Sequence, residues 1–148
     1  MIKTLIVYYS RSGKSEMLAK DLQSKIGCDT DRIEYAGKNK VSFLIAGFEA
    51  VRRKTVKIKG AVHKPEEYDK IIFVTPIWAG RLSTPVRSYM AENKANIKSY
   101  VLIAVSASSP ADAAVKDASD ILQKQPAVSE RYLSKGIDNK TYDLTKFT

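Results

Sequence analysis

The chain has 148 residues, which is the length of one domain, and two independent catalytic domains do not fit in it. Its composition, 44% hydrophobic and 28% charged, is typical of a globular protein with a buried core and excludes a disordered chain. A single cysteine, Cys28, and a single histidine, His63, exclude an internal disulfide and leave too few ligands for a transition-metal site. We therefore treat residues 1–148 as one domain without a metal.

Short runs rich in β-branched residues predict the strands. Residues 5–8, 71–74 and 101–105 are continuously apolar, as expected for the central strands of a parallel sheet that is covered on both faces. Residues 31–35 and 128–133 include charged positions, which favour the edges of a sheet.

Helical patterns lie between these strands. Residues 18–26 carry an apolar residue at every fourth position, which predicts an amphipathic helix after the first strand. Thr84 before Pro85, and Ser109 before Pro110, each predict an N-cap followed by proline at the first helical position. Strands that alternate with helices indicate an α/β sheet, in which ligands bind beyond the carboxyl ends of the strands.

The apolar run at the start of the sequence is shorter than the core of a signal peptide. No later segment approaches the ~18 apolar residues of a membrane span. We therefore expect a cytoplasmic protein without a membrane span.

The loop after the first strand, residues 9–15, contains three serines, a glycine and two cations. Because it leads directly into a helix, its backbone N–H groups and hydroxyls indicate a phosphate site, where Gly13 lets the backbone approach closely. An ordinary helix cap uses the same residue types, but three serines exceed what a cap needs.

Two other nucleotide-binding loops fit the sequence less well. A nucleoside-triphosphate loop shares Gly13, Lys14 and Ser15, but its first glycine would fall at Tyr8, inside the strand. The glycine pattern of a dinucleotide site is not present after this strand either. A short loop of this kind suits a single phosphomonoester.

The pattern Ser10-x-Ser12-Gly13-x-Ser15 resembles the first loop of the flavodoxin-like family, which holds the phosphate of FMN. Residues 68–81 and 84–90 resemble the third strand, the flavin-contacting loop and the following helix of that family. The resemblance implies a three-layer α/β sandwich with a five-stranded parallel sheet of order 2-1-3-4-5, helices on both faces, and a last helix that is truncated or missing.

The resemblance also implies FMN as the cofactor and assigns three groups of binding residues. The phosphate loop would consist of Ser10, Arg11, Ser12, Gly13, Lys14 and Ser15. The isoalloxazine ring would be bordered by Thr75, Pro76, Ile77, Trp78, Ala79, Gly80 and Arg81, and a third wall would be formed by Ser106, Ala107 and Ser108.

Two of these side chains carry specific expectations. Trp78, next to Gly80 in a predicted loop, would offer a rigid stacking surface, although a core tryptophan is the alternative. Arg81 would neutralise charge on a reduced flavin, with a solvated loop arginine as the alternative.

Some features differ from those of electron-carrier flavodoxins. Those proteins tend to be acidic, whereas this chain has a net charge of +9. The third loop lacks the flavin-stacking tyrosine that they often have, and residues 143–148 resemble only the start of a final helix.

The excess positive charge is concentrated in residues 38–64, which contain eight Lys/Arg residues and one acidic residue. A solvated helix face and loop is one interpretation, and docking of an acidic redox partner is another. Nucleic-acid binding ranks below both, because no recognition motif accompanies the charge.

We therefore predict an FMN-binding flavodoxin-like protein that moves electrons, either as a carrier or as a small flavin-dependent reductase. The alternative is a flavin-free binding module of the same shape that acts through the basic surface. No catalytic acid or base is predicted, and the sequence does not set the oligomeric state.

Overall fold

The computed structural model describes residues 2–36 and 55–148. Within these ranges the strands are β1 (Thr4–Tyr8), β2 (Asp29–Arg32), β3 (Glu34–Tyr35), β4 (Ile58–Lys59), β5 (Lys70–Trp78), β6 (Arg81–Leu82), β7 (Tyr100–Ser106) and β8 (Val128–Leu133). The α-helices are α1 (Lys14–Ile26), α2 (Thr84–Asn93), α3 (Asp112–Leu122) and α4 (Ser134–Asp138), and short 3-10 helices cover Pro65–Glu67, Lys94–Asn96 and Thr145–Phe147.

The main sheet has the order β2-β1-β5-β7-β8, and all four of these pairings are parallel. The predicted order 2-1-3-4-5 is therefore confirmed, with three apolar strands in the centre and the two charged strands at the edges. The antiparallel strand β6, which pairs with the end of β5, was not predicted.

Each face of the sheet has its own core, because alternate residues of a strand point to opposite sides. Leu5 and Val7 of β1 pack with α2 and α3, whereas Ile6 and Tyr8 pack with α1 and α4. The prediction of helices on both faces is confirmed.

The first edge strand differs from the prediction. Residues 31–35 do not form one strand, since β2 ends at Arg32 and β3 pairs antiparallel with β4 in a separate two-stranded sheet. The Ile33 N–H donates to the Tyr8 carbonyl at 2.9 Å, and the chain leaves the main sheet beyond this bond.

The two predicted N-caps are displaced, by one residue toward the N-terminus for α2 and by two residues toward the C-terminus for α3. Thr84 is already inside α2, whose N-cap is Ser83, and α3 begins at Asp112 rather than after Ser109. The carbonyl of Ser109 is held by Ser106 and Arg131, so residues 109–111 belong to the preceding loop.

The helix after β8 is short, as predicted. It is the five-residue α4, which lies before the predicted start, and residues 145–147 form a 3-10 helix instead. Ile137, Leu144 and Phe147 from this segment complete the core on the α1 side of the sheet. In the ranges that the structure describes, no helix is long and apolar enough to cross a membrane.

Candidate functional site

The three predicted binding loops lie together at the carboxyl ends of the central strands. Strands β1, β5 and β7 are neighbours and run parallel, so the loops that follow them all start at the same edge. The Tyr9 N–H donates to the Val74 carbonyl at 3.2 Å, which holds the start of the first loop against β5.

The first loop leaves backbone donors exposed at the start of α1. The first intrahelical bond runs from the Met17 N–H to the Gly13 carbonyl at 3.0 Å, so the N–H groups of residues 14–16 have no partner within the helix. Unpartnered N–H groups and the positive end of the helix dipole together favour the binding of an anion.

Gly13 shapes this site. It is the N-cap of α1 with φ +94°, and a Cβ built there would meet no atom within 4 Å. Its N–H donates to the Ser10 hydroxyl oxygen at 3.0 Å, which leaves the hydroxyl hydrogen of Ser10 available to an anion. The loop therefore combines a positive φ with open space, and a non-glycine residue would disturb both.

The two cations of the loop point in different directions. The Arg11 guanidinium lies over the Trp78 ring, 5.8 Å from its centroid, whereas Lys14 Nζ pairs with Asp138 Oδ1 of α4 at 2.5 Å. Ser12 and Gly13 are exposed and Ser15 is buried at 2%.

Glu16 in the first turn of α1 would oppose an anion, but two cations hold it. Lys20 and Arg32 both pair with its carboxylate. The hydrogen bond from Lys20 and the charge of Arg32 lower the pKa of Glu16 despite partial desolvation. Its negative charge is thus compensated locally.

The second loop is shorter than predicted, because β5 extends to Trp78. Ala79 and Gly80, both with positive φ, form a two-residue turn of the type I′ kind between β5 and β6. Residues 75–78 thus lie in a strand and not in a loop. Pro76, Ile77 and Gly80 are partly exposed and Ala79 is exposed.

Trp78 is only 4% exposed, in contrast to the open loop position that the sequence suggested. Its ring forms a T-shaped pair with Tyr9 at a centroid distance of 5.5 Å, and Tyr9 forms a second T-shaped pair with Tyr35 at 5.8 Å. The burial of Tyr9 between these two rings raises the pKa of its hydroxyl. In this structure Arg11, rather than open space, covers the indole.

Thr75 is completely buried and its hydroxyl is used inside the protein. It lies 2.8 Å from the Ser83 hydroxyl and 2.9 Å from the Pro76 carbonyl. Thr75 therefore ties β5 to the N-terminus of α2, where its hydroxyl does not reach solvent.

The third loop is held from both ends. Ser106, 2% exposed, donates its hydroxyl to the Ser109 carbonyl at 2.6 Å. Arg131 of β8 donates to the carbonyls of Ser108 and Ser109, each at 3.1 Å. Ala107 and Ser108 are left exposed beyond the carboxyl end of β7.

Arg81 is anchored by two residues, Asp117 and Arg87, whose part in the site the sequence pattern did not indicate. Its Nη1 donates to Asp117 Oδ1 at 2.9 Å, and Arg87 Nη2 donates to Asp117 Oδ2 at 3.1 Å. Both Asp117 and Arg87 lie on the buried faces of their helices. A charged residue within an apolar helical stripe is the pattern that could have revealed them.

Three further sequence features lie away from these loops. Most of the basic stretch 38–64 falls in residues 37–54, outside the described residues. His63 pairs with the buried Asp31, Nδ1 to Oδ1 at 2.6 Å. Cys28 is partly buried, and desolvation raises its pKa.

Several solved structures have a similar fold. The structure is similar to a flavoprotein from Lactobacillus acidophilus in complex with FMN, with a TM-score of 0.78 and 20% identity, covering 96% of this chain and 100% of that chain. The chain has the flavodoxin-like fold. The apo form of a flavoprotein from the same organism matches this flavodoxin-like chain with a TM-score of 0.70 and 20% identity, covering 88% and 92% of the two chains.

A more distant match is the FMN-bound flavodoxin of Fusobacterium nucleatum, with a TM-score of 0.53 and 11% identity over 88% of this chain and 70% of that chain. No protein-family model and no curated protein matches this chain. At these identities the similarity shows the flavodoxin-like fold, and function must be argued from the site.

Proposed function

We propose that this flavodoxin-like chain binds FMN at the edge formed by the β1, β5 and β7 loops and cycles it between oxidised and reduced forms. The observation that carries the proposal is the open N-terminus of α1 at Gly13, which is rich in hydrogen-bond donors. It is supported by the similarity in fold to the flavoprotein in complex with FMN named above. The protein acts as an electron carrier or as a small flavin-dependent reductase.

The phosphate end fits a phosphomonoester. Ser10, Ser12 and the N–H groups at residues 14–16 supply donors, and the vacant Cβ position of Gly13 supplies room. Lys14 contributes a positive charge that it shares with Asp138. Ser15, in the first turn of α1, is buried beneath the loop.

The ring end is divided between contact residues and supporting residues. The accessible positions Pro76, Ile77, Ala79, Gly80 and Ala107 border the isoalloxazine. Behind them, the buried residues Trp78, Thr75 and Ser106 hold the strand ends in place. When bound, FMN supplies the redox chemistry, while the chain binds, orients and shields it.

We further propose that the redox partner is acidic. The described part of the basic stretch presents Lys57, Lys59 and Lys64, all exposed. Attraction to a negatively charged partner would raise the encounter rate and would weaken with added salt.

The test is a fluorescence titration of the flavin-free protein with FMN and with riboflavin, which lacks the phosphate. FMN should bind far more tightly than riboflavin. Replacing Ser12 and Ser15 together by alanine should weaken FMN binding about 100-fold, because Ser12 loses a hydrogen bond to a charged group, which contributes roughly 1.5–3 kcal/mol, and Ser15 loses the hydroxyl beneath the same loop. Riboflavin binding should be unaffected by this change.

Ser24→Ala is the matched control, since Ser24 is exposed at the far end of the same helix. Equal affinities for FMN and riboflavin, or a double variant that binds FMN like the parent protein, would reject the phosphate loop. Binding of neither flavin would reject the proposed function.

A further inference from the structure

Three charged side chains converge beside the ring end of the candidate site. Asp117 on α3, only 2% exposed, gives one carboxylate oxygen to Arg81 and the other to Arg87. Arg87 of α2 is 3% exposed, so two of the three members are fully enclosed. A buried carboxylate held at both oxygens is fixed in orientation, because any rotation would break a charge-assisted bond.

Arg81 differs from its two partners. Its side chain is 26% exposed, and among the residues that the structure describes its one salt bridge is the contact with Asp117 Oδ1. A guanidinium has five N–H donors, so Arg81 anchors one of them to Asp117 and keeps others for a ligand or for solvent.

The hairpin places Arg81 next to the ring-bordering residues. Arg81 pairs with Trp78 across the Ala79–Gly80 turn, and directly opposite residues of an antiparallel pair lie on the same face about 5 Å apart. The indole is covered by Arg11, which adds a second cation to the same neighbourhood.

We propose that Asp117 is a positioning residue which, braced by Arg87, holds the Arg81 guanidinium at the ring end of the site, where it favours the reduced, anionic form of FMN. This inference rests on the proposed function. Reduction adds two electrons to FMN and, in the anionic product, one proton, so the ring gains one negative charge. A fixed guanidinium binds that product better than the neutral oxidised ring.

The role of positioning can be separated from a direct effect of charge. If Asp117 acted only through its charge, removing it would leave more positive charge and strengthen the preference for reduced FMN. If Asp117 positions Arg81, removing it releases the guanidinium to solvent and weakens that preference. The two roles therefore predict opposite signs for Asp117→Asn.

The experiment measures the dissociation constants of oxidised FMN and of FMN reduced anaerobically with dithionite. The preference for reduced FMN is the dissociation constant of the oxidised form divided by that of the reduced form. Arg81→Gln should lower the preference for reduced FMN by about three- to tenfold, and Arg81→Lys, which keeps the charge, should lower it less. Asp117→Asn should change the ratio in the same direction as Arg81→Gln. The double variant should show no larger effect than Arg81→Gln alone, since both act through one group.

Lys116→Gln is the control for Arg81→Gln, because it removes the same positive charge from an exposed side chain that lies next to Asp117 in sequence. Its ratio should equal that of the parent protein. If Asp117→Asn does not fold, Asp117→Glu keeps the charge but shifts it by one CH₂, and it should lower the ratio to a smaller extent.

The inference is overturned if Asp117→Asn raises the preference for reduced FMN, if the two effects add, or if Arg81→Gln leaves the ratio unchanged. Each of these results can occur with FMN bound normally, so each would leave the proposed function intact. Failure of the parent protein to bind FMN would overturn the proposed function and this inference together.

Discussion

The two glycines at the ends of α1 allow a matched test of the phosphate loop. Gly13 at the N-cap has φ +94°, and Gly27 at the C-cap has φ +73°. At both positions a Cβ would meet no atom within 4 Å. Alanine at either site is therefore strained by its backbone angle and not by a clash.

The expected stability changes are small and similar. An L-residue in the left-handed region costs roughly 1–2 kcal/mol, and replacing glycine regains about 0.4–1 kcal/mol from the unfolded chain. Each variant should lose about 1 kcal/mol of unfolding free energy, equivalent to a Tm about 2–4 °C lower.

FMN affinity should separate the two variants. The alanine Cβ at position 13 occupies the space proposed for the phosphate, so Gly13→Ala should bind FMN at least about tenfold more weakly, by 1.4 kcal/mol or more. Gly27→Ala should bind it like the parent protein. Thermal unfolding monitored by circular dichroism and flavin fluorescence titration measure the two effects. If both variants lost affinity equally, or if Gly13→Ala retained it, the proposed phosphate position would be wrong.

Two further predictions concern the hairpin and the tyrosines. Ala79 has φ +51° in a type I′ turn, where asparagine is preferred, so Ala79→Asn should raise the unfolding free energy by about 0.5–1 kcal/mol; an unchanged urea midpoint would contradict this strain. Burial raises the pKa of Tyr132 to about 12, so the unfolded chain ionises first as the pH passes 10. Stability should be retained below pH 10 and lost as the pH rises toward 12. Urea unfolding at pH 8, 10 and 11 should show this decline in the unfolding free energy, and the decline should be smaller in Tyr132→Phe. If the unfolding free energy fell equally with pH in both proteins, Tyr132 would be excluded as a contributor.

The parallel sheet could be predicted from the sequence because short, continuously apolar runs are typical of strands that are buried on both faces. Residues 71–74 and 101–105 are too short for helices and too apolar for loops, and alternation with helices then favours the observed order. The Gly13 loop was predictable for a similar reason, since a glycine and several hydroxyls between a strand and a helix have a specific physical use.

Features that depend on tertiary contacts could not be predicted. The extension of β5 through Trp78 requires its pairing with Leu82 and Arg81 across a turn that lacks the usual Asn-Gly sequence. The role of Asp117 depends on two arginines that lie 30 and 36 residues away in the chain. Local patterns carry no information about which distant groups meet.

The outer side of β8 pairs with no other strand of the described residues, so it could in principle join the same strand of a second molecule. A two-fold axis normal to the sheet would relate two such antiparallel edges, and residues from the same face would then stand opposite each other. The two central registers place either Glu130 or Arg131 directly opposite its own symmetry mate. Like charges in direct opposition destabilise an antiparallel pair. Pairing of this open edge with a second copy of the chain is therefore disfavoured in both of these registers.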